Sequence, residues 1–176
     1  MARKLIFWVP LMILALLGGI AIYGLVAPKD DFVHSALVGQ KLPAFELPPA
    51  TEGVEGISST SIATGKPRLL NLFGSWCAPC IAEAPQLEAL KKAGVQIDGI
   101  ALRDTPEAVA RFLAQNGNPY ARIGNDPDWR MPVTLGSTGV PETYVIAGDG
   151  RITYQHIGEI RAEHVPMLLK KLEQAQ

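Results

Sequence analysis

The 176-residue chain carries 16 Lys and Arg against 17 Asp and Glu, a formal net charge of −1. No basic field points to a nucleic acid partner. Once a terminal segment is set aside, the length suits a single domain with its own hydrophobic core.

The apolar content is concentrated at the start. Residues 5–27, LIFWVPLMILALLGGIAIYGLVA, hold no charge over 23 positions, and at about 1.5 Å per helical residue such a run crosses a bilayer core of roughly 30 Å. Arg3 and Lys4 precede it and PKDD follows, which places the N-terminus in the cytoplasm and the remainder outside. The competing reading is a cleaved signal peptide, but the run exceeds an h-region of about 7 to 15 residues, and cleavage after Ala27 would put Leu25 where a small residue is preferred. The expectation is an uncleaved single-pass anchor over 1–27. Pro10 lies near its cytoplasmic end, where a membrane helix tolerates it.

Residues 28–43 contain Pro28, Gly39 and Pro43 among mixed polar residues and read as a tether. The domain is expected over 44–176. AFEL and the stretch around GISSTSI are candidates for an N-terminal β-hairpin. RLLNLF, residues 68–73, is a short apolar run of the kind that forms a buried strand. From Pro79 to about Lys92, Ile81, Ala84, Leu87 and Leu90 recur every three residues and predict an amphipathic helix that exits at Gly94, with Pro85 inside it. VQIDGIAL predicts a second central strand. TPEAVARFLAQNG predicts a helix with Thr105 as N-cap, Pro106 at the first position and Gly117 at the end. DPDWRMPVTLGSTG carries no periodicity and reads as irregular. ETYVIAGDGRITYQHIG predicts a hairpin, and RAEHVPMLLKKLEQAQ a final helix with Pro166 near its start. This order implies an α/β domain with a mixed sheet covered by helices.

The chain's two cysteines, Cys77 and Cys80, stand together in GSWCAPCIAEAP. They could be a structural staple, half of a metal site or a reversible redox pair. A structural zinc site wants four ligands, and the remaining candidates, His34, His156 and His164, lack ligand spacing. A staple closing so small a loop removes little entropy from the unfolded chain. A redox pair fits the position better. Cys77 stands between a predicted strand and a predicted helix, where free N–H groups and the helix dipole favour an anion. A thiolate there is a nucleophile, and a second thiol two residues on can resolve the mixed disulfide. Cys77 is the expected attacker and Cys80 the resolver. No cofactor or metal is needed.

WCAPC after LLNLF, with a proline five residues beyond Cys80, resembles the thioredoxin superfamily. GVPETYVI, residues 139–146, is similar to the cis-proline segment of that fold. DTPEAVARFLAQNGNPY followed by GVPETYVIAGDGRITYQHIG resembles the CcmG/DsbE thiol:disulfide interchange proteins of cytochrome c maturation, a membrane-anchored branch related to the TlpA/ResA-like reductases. With the anchor the likeness covers nearly the whole chain. It implies a thioredoxin-like fold and a periplasmic, inner-membrane reductant of apocytochrome c or of a haem-lyase component, recharged by a DsbD/CcdA-type membrane electron donor. A monomer satisfies it. A general TlpA/ResA-like reductase, or a thioredoxin-fold binding module with incidental cysteines, are the alternatives.

By residue, the resemblance implies Cys77 and Cys80 as the redox pair, Pro141 as the cis-proline, and Glu83 and Glu142 as acidic residues at the site. Asn71 takes the place of the buried aspartate of thioredoxin. GIALRDTP departs from the family pattern at Leu102. Glu83, one turn after Cys80, is either an ordinary helix residue or a carboxylate that takes a proton from the resolving thiol. Glu142 is either a turn residue or a group that selects partners or tunes a thiol pKa. Trp76, directly before the attacking thiol, is expected to border the substrate face, whereas Trp129 and Tyr144 read as packing residues and the three histidines as structural or solvated.

Overall fold

The computed structural model describes residues 2–26 and 35–176, with side chains described for 8–20, 22, 23 and 35–176. The chain divides into two compact units, Met1–Phe32 and Val33–Gln176. The first holds one helix, α1 (Ala2–Val26), whose described side chains are exposed, Trp8, Leu14 and Tyr23 among them. Among the described residues no helix is long and apolar enough to cross a membrane. Much of the expected anchor's side-chain surface, at 1–7, 21 and 24–27, lies outside the described residues, as do tether residues 28–34 and His34.

The second unit is built on a five-stranded mixed sheet of β3 (Arg68–Phe73), β4 (Ile97–Leu102), β5 (Arg122–Asp126), β6 (Glu142–Ile146) and β7 (Ile152–Ile157), in the order β5-β4-β3-β6-β7. β3 pairs parallel with β4, and β4 with β5. β6 joins β3 and β7 antiparallel. Helices α3 (Ala78–Lys92), α4 (Pro106–Asn116) and α6 (Val165–Gln174) complete one side. Alternation along β3 separates two cores: Leu69 and Phe73 pack with Leu87 and Leu90 of α3, Phe112 of α4 and Leu168 of α6, whereas Leu70 and Leu72 pack with Met131 and Leu135 of α5 (Arg130–Leu135). Both faces of β3 are therefore dry, which is why RLLNLF reads as a continuous apolar run rather than an alternating one.

The strand and helix expectations at 68–73, 79–92, 95–102 and 106–116 match the elements observed to within two residues, and Thr105 caps α4 by accepting the Ala108 N–H at 3.3 Å. Three differences have local causes. β1 (Glu46–Leu47) and β2 (Ile57–Ser58) pair antiparallel over only two residues each. The Ser58 hydroxyl then accepts the Ser61 N–H, and SSTSI turns into a short helix, α2 (Ser59–Ile62), instead of continuing as strand. β5, in a stretch with no strand signal, contains Gly124, over which Ile57 and Leu47 pack so closely that a Cβ there would collide with Ile57 Cγ2. α5 sits in the stretch read as irregular, and its N-terminus is held by Asp126, whose carboxylate accepts the N–H groups of Arg130 and Met131 at 3.0 and 2.7 Å.

Residues 35–43, within the expected tether, are docked on the domain. The Gly39 N–H donates to Ile152 O at 2.7 Å, the Ile152 N–H to Gln40 O at 2.8 Å, and the Leu42 N–H to Gly150 O at 2.9 Å. They cover the backbone groups of Gly150 and of Ile152 at the start of β7, the beginning of an otherwise open strand edge.

Candidate active site

β3 ends at Phe73 and the chain turns through Gly74, Ser75 and Trp76 into α3, with Cys77 as its N-cap. Gly74 is required by a close approach: a Cβ there would lie 2.7 Å from the Trp76 ring. Cys77 and Cys80 are joined by a disulfide. The Cys80 N–H donates to Cys77 Sγ at 3.2 Å, so the first turn of a 15-residue helix directs an N–H group and its dipole at that sulfur. Cys77 is 4% exposed and Cys80 1%. The cysteine at the helix terminus is also the slightly less buried residue of the two.

Behind the disulfide lies a buried acid. Glu83 stands one turn beyond Cys80 on α3, the spacing that puts two side chains on one face, and it is fully buried. Its carboxylate accepts the Asn71 Nδ2–H at 2.9 Å through Oε1 and the Ile160 N–H at 2.9 Å through Oε2. Burial outweighs these two hydrogen bonds and pushes its pKa up to about 7, with the Glu159 charge adding to the rise. Asn71 is oriented in turn: the Tyr120 hydroxyl donates to its Oδ1 at 2.7 Å, and its Nδ2 also reaches Thr143 Oγ1 at 3.0 Å. Burial first, then the Glu83 charge, drives the Tyr120 pKa well above its ordinary value. Tyr120 therefore stays a donor, which directs the amide of Asn71 rather than its oxygen at Glu83. An aspartate at 71 would set a second carboxylate against the first. Asparagine supplies a donor instead.

On the other flank, the Val140–Pro141 peptide is cis. Pro141 O accepts the Gly158 N–H at 2.9 Å, from a glycine at φ +87°, and two residues later Ile160 reaches Glu83. The loop after β7 thus touches both the cis-proline and the buried acid. Glu142, next to Pro141, is 1% exposed, and is not a simple turn residue. Its Oε1 accepts the Thr138 N–H and Oγ–H, each at 2.9 Å, and its Oε2 accepts Tyr144 OH at 2.8 Å and Gln155 Nε2–H at 2.9 Å.

The third side is aromatic. Trp76 is 55% exposed, yet its indole N–H donates to Leu102 O at 3.1 Å, which aims the ring. Trp129 lies 6.4 Å from it, centroid to centroid, with the Arg103 guanidinium 5.0 Å over the Trp129 ring. Arg103 and Trp129 both adopt left-handed backbone, at φ +50° and +61°, a conformation that L-residues hold only when their surroundings impose it. Asp104 braces this edge by accepting the Ser75 N–H and hydroxyl, each at 2.6 Å.

The carboxyl ends of β3 and β4, the start of α3 and the cis-proline loop therefore converge on one disulfide, as in thiol–disulfide exchange proteins. The redoxin family model matches residues 37–172. The thiol:disulfide interchange protein HelX of Rhodobacter capsulatus is 36% identical over 174 residues, covering 98% of this chain and 96% of that protein. The chain belongs to the DsbE/HelX family of thiol:disulfide interchange proteins. DsbE of Tatumella citrea is 35% identical over 165 residues, covering 92% of this chain and 89% of its own. A crystal structure described as DsbE from Chlorobium tepidum superposes with a TM-score of 0.65 at 30% identity, over 78% of this chain and 96% of that one. The fold is thioredoxin-like and the chemistry is that of a thiol–disulfide oxidoreductase.

Cys77, Cys80, Glu83, Trp76, Pro141 and Glu142, the site residues expected from the sequence, lie on these converging segments. Asn71, Tyr120, Thr143 and Ile160 around Glu83, and Thr138, Tyr144 and Gln155 around Glu142, come from five separate segments of the chain. Tyr144, expected as packing, is buried but spends its hydroxyl on Glu142. Trp129, also expected as packing, joins the aromatic edge. The His156 and His164 rings lie 4.5 Å apart, centroid to centroid, tilted by 58°, and burial lowers the His156 pKa, with the His164 charge acting in the same direction.

Proposed function

We propose that the chain is a membrane-anchored periplasmic reductant of cytochrome c maturation. The observation that carries the reading is the placing of Cys77 Sγ against the Cys80 N–H at the start of α3, over a buried Glu83. In the reduced protein the Cys77 thiolate attacks one sulfur of a client disulfide. The S–S bond breaks, the client's second sulfur leaves as a thiolate that takes up a proton, and Cys77 is joined to the client. Cys80, deprotonated toward Glu83, then attacks Cys77 Sγ. The client departs as a dithiol and the Cys77–Cys80 disulfide is restored, two electrons having passed to the client. The client is the Cys-x-x-Cys-His motif of apocytochrome c or a haem-lyase component, and a DsbD/CcdA-type transporter returns the electrons.

Trp76 and the cis-Pro141 loop border the partner face, with Glu142 buried behind that loop, and the domain acts as a monomer. Val140 strengthens this reading: its backbone N–H and C=O have no hydrogen-bond partner among the described residues, leaving an edge on which an extended client peptide can pair. The uncharged run 5–27 and the exposed apolar side chains of α1 support the anchor.

The test is a Cys80→Ser variant expressed in cells, which attacks clients but cannot release them, followed by mass spectrometry of the trapped partners. Apocytochrome c or haem-lyase components are expected. A broad set of unrelated exported proteins would make the chain a general reductase. No trapped partner, together with maturation retained by Cys77→Ser, would favour a binding module.

A further inference from the structure

Glu142 differs from Glu83 in one respect that decides its role. Glu83 has two donors facing its carboxylate. Glu142 has four: Thr138 N–H and Oγ–H on Oε1, and Tyr144 OH and Gln155 Nε2–H on Oε2. Every partner is a donor, so the group is used as an acceptor on both oxygens and has no place to hand on a proton. Burial and the Glu142 charge drive the Tyr144 pKa far above its ordinary value, so that hydroxyl remains a donor. The inner oxygen is anchored further, because Gln155 Oε1 accepts the Ser35 N–H at 2.6 Å and Gln155 Nε2 also reaches Tyr144 OH at 3.3 Å. Tyr144 and Gln155 sit on paired strands, β6 and β7, directly opposite one another. The outer oxygen holds Thr138, an exposed residue three positions before the cis-proline. Between Thr138 and Pro141 lie Gly139, whose N–H and C=O are both taken by the Ser137 hydroxyl at 3.3 and 3.0 Å, and Val140, whose backbone has no hydrogen-bond partner among the described residues.

We infer that Glu142 is a positioning residue: anchored to the sheet by Tyr144 and Gln155, its carboxylate clamps Thr138 and so fixes the 138–140 segment that presents the unpaired Val140 backbone, on which the oxidised client peptide docks. The inference rests on the disulfide-exchange reading and assigns to Thr138, Tyr144 and Gln155 a part in client binding. A carboxamide at 142 cannot replace the carboxylate, since its NH2 would meet donors whichever way it turned. Proton transfer and the sulfur chemistry do not pass through the clamp. Its loss acts on docking.

The experiment uses the full chain in mild detergent, with an oxidised Cys-x-x-Cys-His peptide as client, and compares wild type, Glu142→Gln, Thr138→Val and the double variant. Thr138 is exposed, so its variant leaves the core untouched. Glu142→Gln is expected to raise KM for the peptide about tenfold, the effect of losing a hydrogen bond to a charged acceptor, with kcat, the equilibrium with glutathione and the pH profile of Cys77 alkylation unmoved. Thr138→Val is expected to raise KM in the same direction, and the double variant to be no worse than Glu142→Gln alone, because both remove one clamp. Amide hydrogen exchange at 138–140 is expected to speed up in Glu142→Gln. Unchanged exchange there, additive effects in the double variant, or a shifted alkylation profile with KM unchanged would each overturn the clamp. Failure of the wild-type chain to reduce any peptide disulfide would overturn the underlying exchange reading, while the exchange measurement would still decide the clamp.

Discussion

Glu83 offers a quantitative test of how the site stores a proton. Burial raises its pKa from 4.5 to about 7 in the folded protein, while in the unfolded chain it titrates near 4.5. Between these values the folded state binds more protons than the unfolded state, so stability falls as pH rises through the window and the loss is complete above pH 7. At about 1.4 kcal/mol per pH unit, the span corresponds to about 3 kcal/mol. Glu83→Gln removes this titration. It also sets an NH2 group against Asn71 Nδ2 or the Ile160 N–H, at a cost of about 1–3 kcal/mol at every pH. The variant should therefore be clearly less stable than wild type near pH 4.5, and the gap should close or reverse by pH 8. Urea unfolding of the oxidised chain, run at half-unit steps from pH 4.5 to 8.5, measures the difference between the two proteins, in which contributions from Asp98 and the histidines cancel. Parallel curves would refute the placing of an ionisable group in a dry site behind the cysteines. A change in the gap complete by a pH well below 7 would mean that the Asn71 and Ile160 hydrogen bonds offset more of the burial, and a gap that widens as pH rises would mean that they outweigh it.

Four further outcomes are expected. In the reduced protein, iodoacetamide should modify Cys77 before Cys80, since Cys77 is the helix N-cap and the less buried residue of the pair; peptide mapping showing Cys80 first would reverse the assignment. The reduction potential of the pair, measured against glutathione or dithiothreitol, should lie near the thioredoxin value of about −270 mV, and a value near about −120 mV would refute a reductant. Gly74→Ala should displace the Trp76 ring, which a Cβ would meet at 2.7 Å, changing the tryptophan emission and slowing client reduction; unchanged emission with full activity would show that Trp76 is not held by this contact. Arg68→Leu leaves Asp98 fully buried without its 2.7 Å partner and should destabilise the domain by about 3–5 kcal/mol in denaturant unfolding, with Asp98→Asn in addition recovering part of the loss.

The reach of the sequence follows from the range of the forces involved. The helix beginning at the cysteines, the Thr105-capped helix and the buried strand RLLNLF are specified by neighbours in sequence: caps, glycine exits and apolar spacing act within a few residues, so they are legible without a fold. Local chemistry also made the redox pair legible, because Cys77 and Cys80 share one helical turn and the dipole acting on Cys77 is that of its own helix. β5 and α5 were not legible. Gly124 is there because Ile57 and Leu47, more than sixty residues earlier, press against it, and α5 starts where Asp126 lends its carboxylate. The docking of residues 35–43 on β7 has the same origin, an unpaired strand edge that the sequence of the tether does not announce. At the site itself, the two glutamates look alike in sequence and differ only through tertiary structure. Two donors and a dry pocket leave Glu83 able to hold a proton near neutral pH, whereas four donors drawn from β6, β7 and the loop before them commit Glu142 to holding that loop. Residue identity determined which groups could titrate and which could attack. Only the folded chain decided which of them is left in need of a proton, because desolvation and hydrogen bonding are set by what surrounds a group in space.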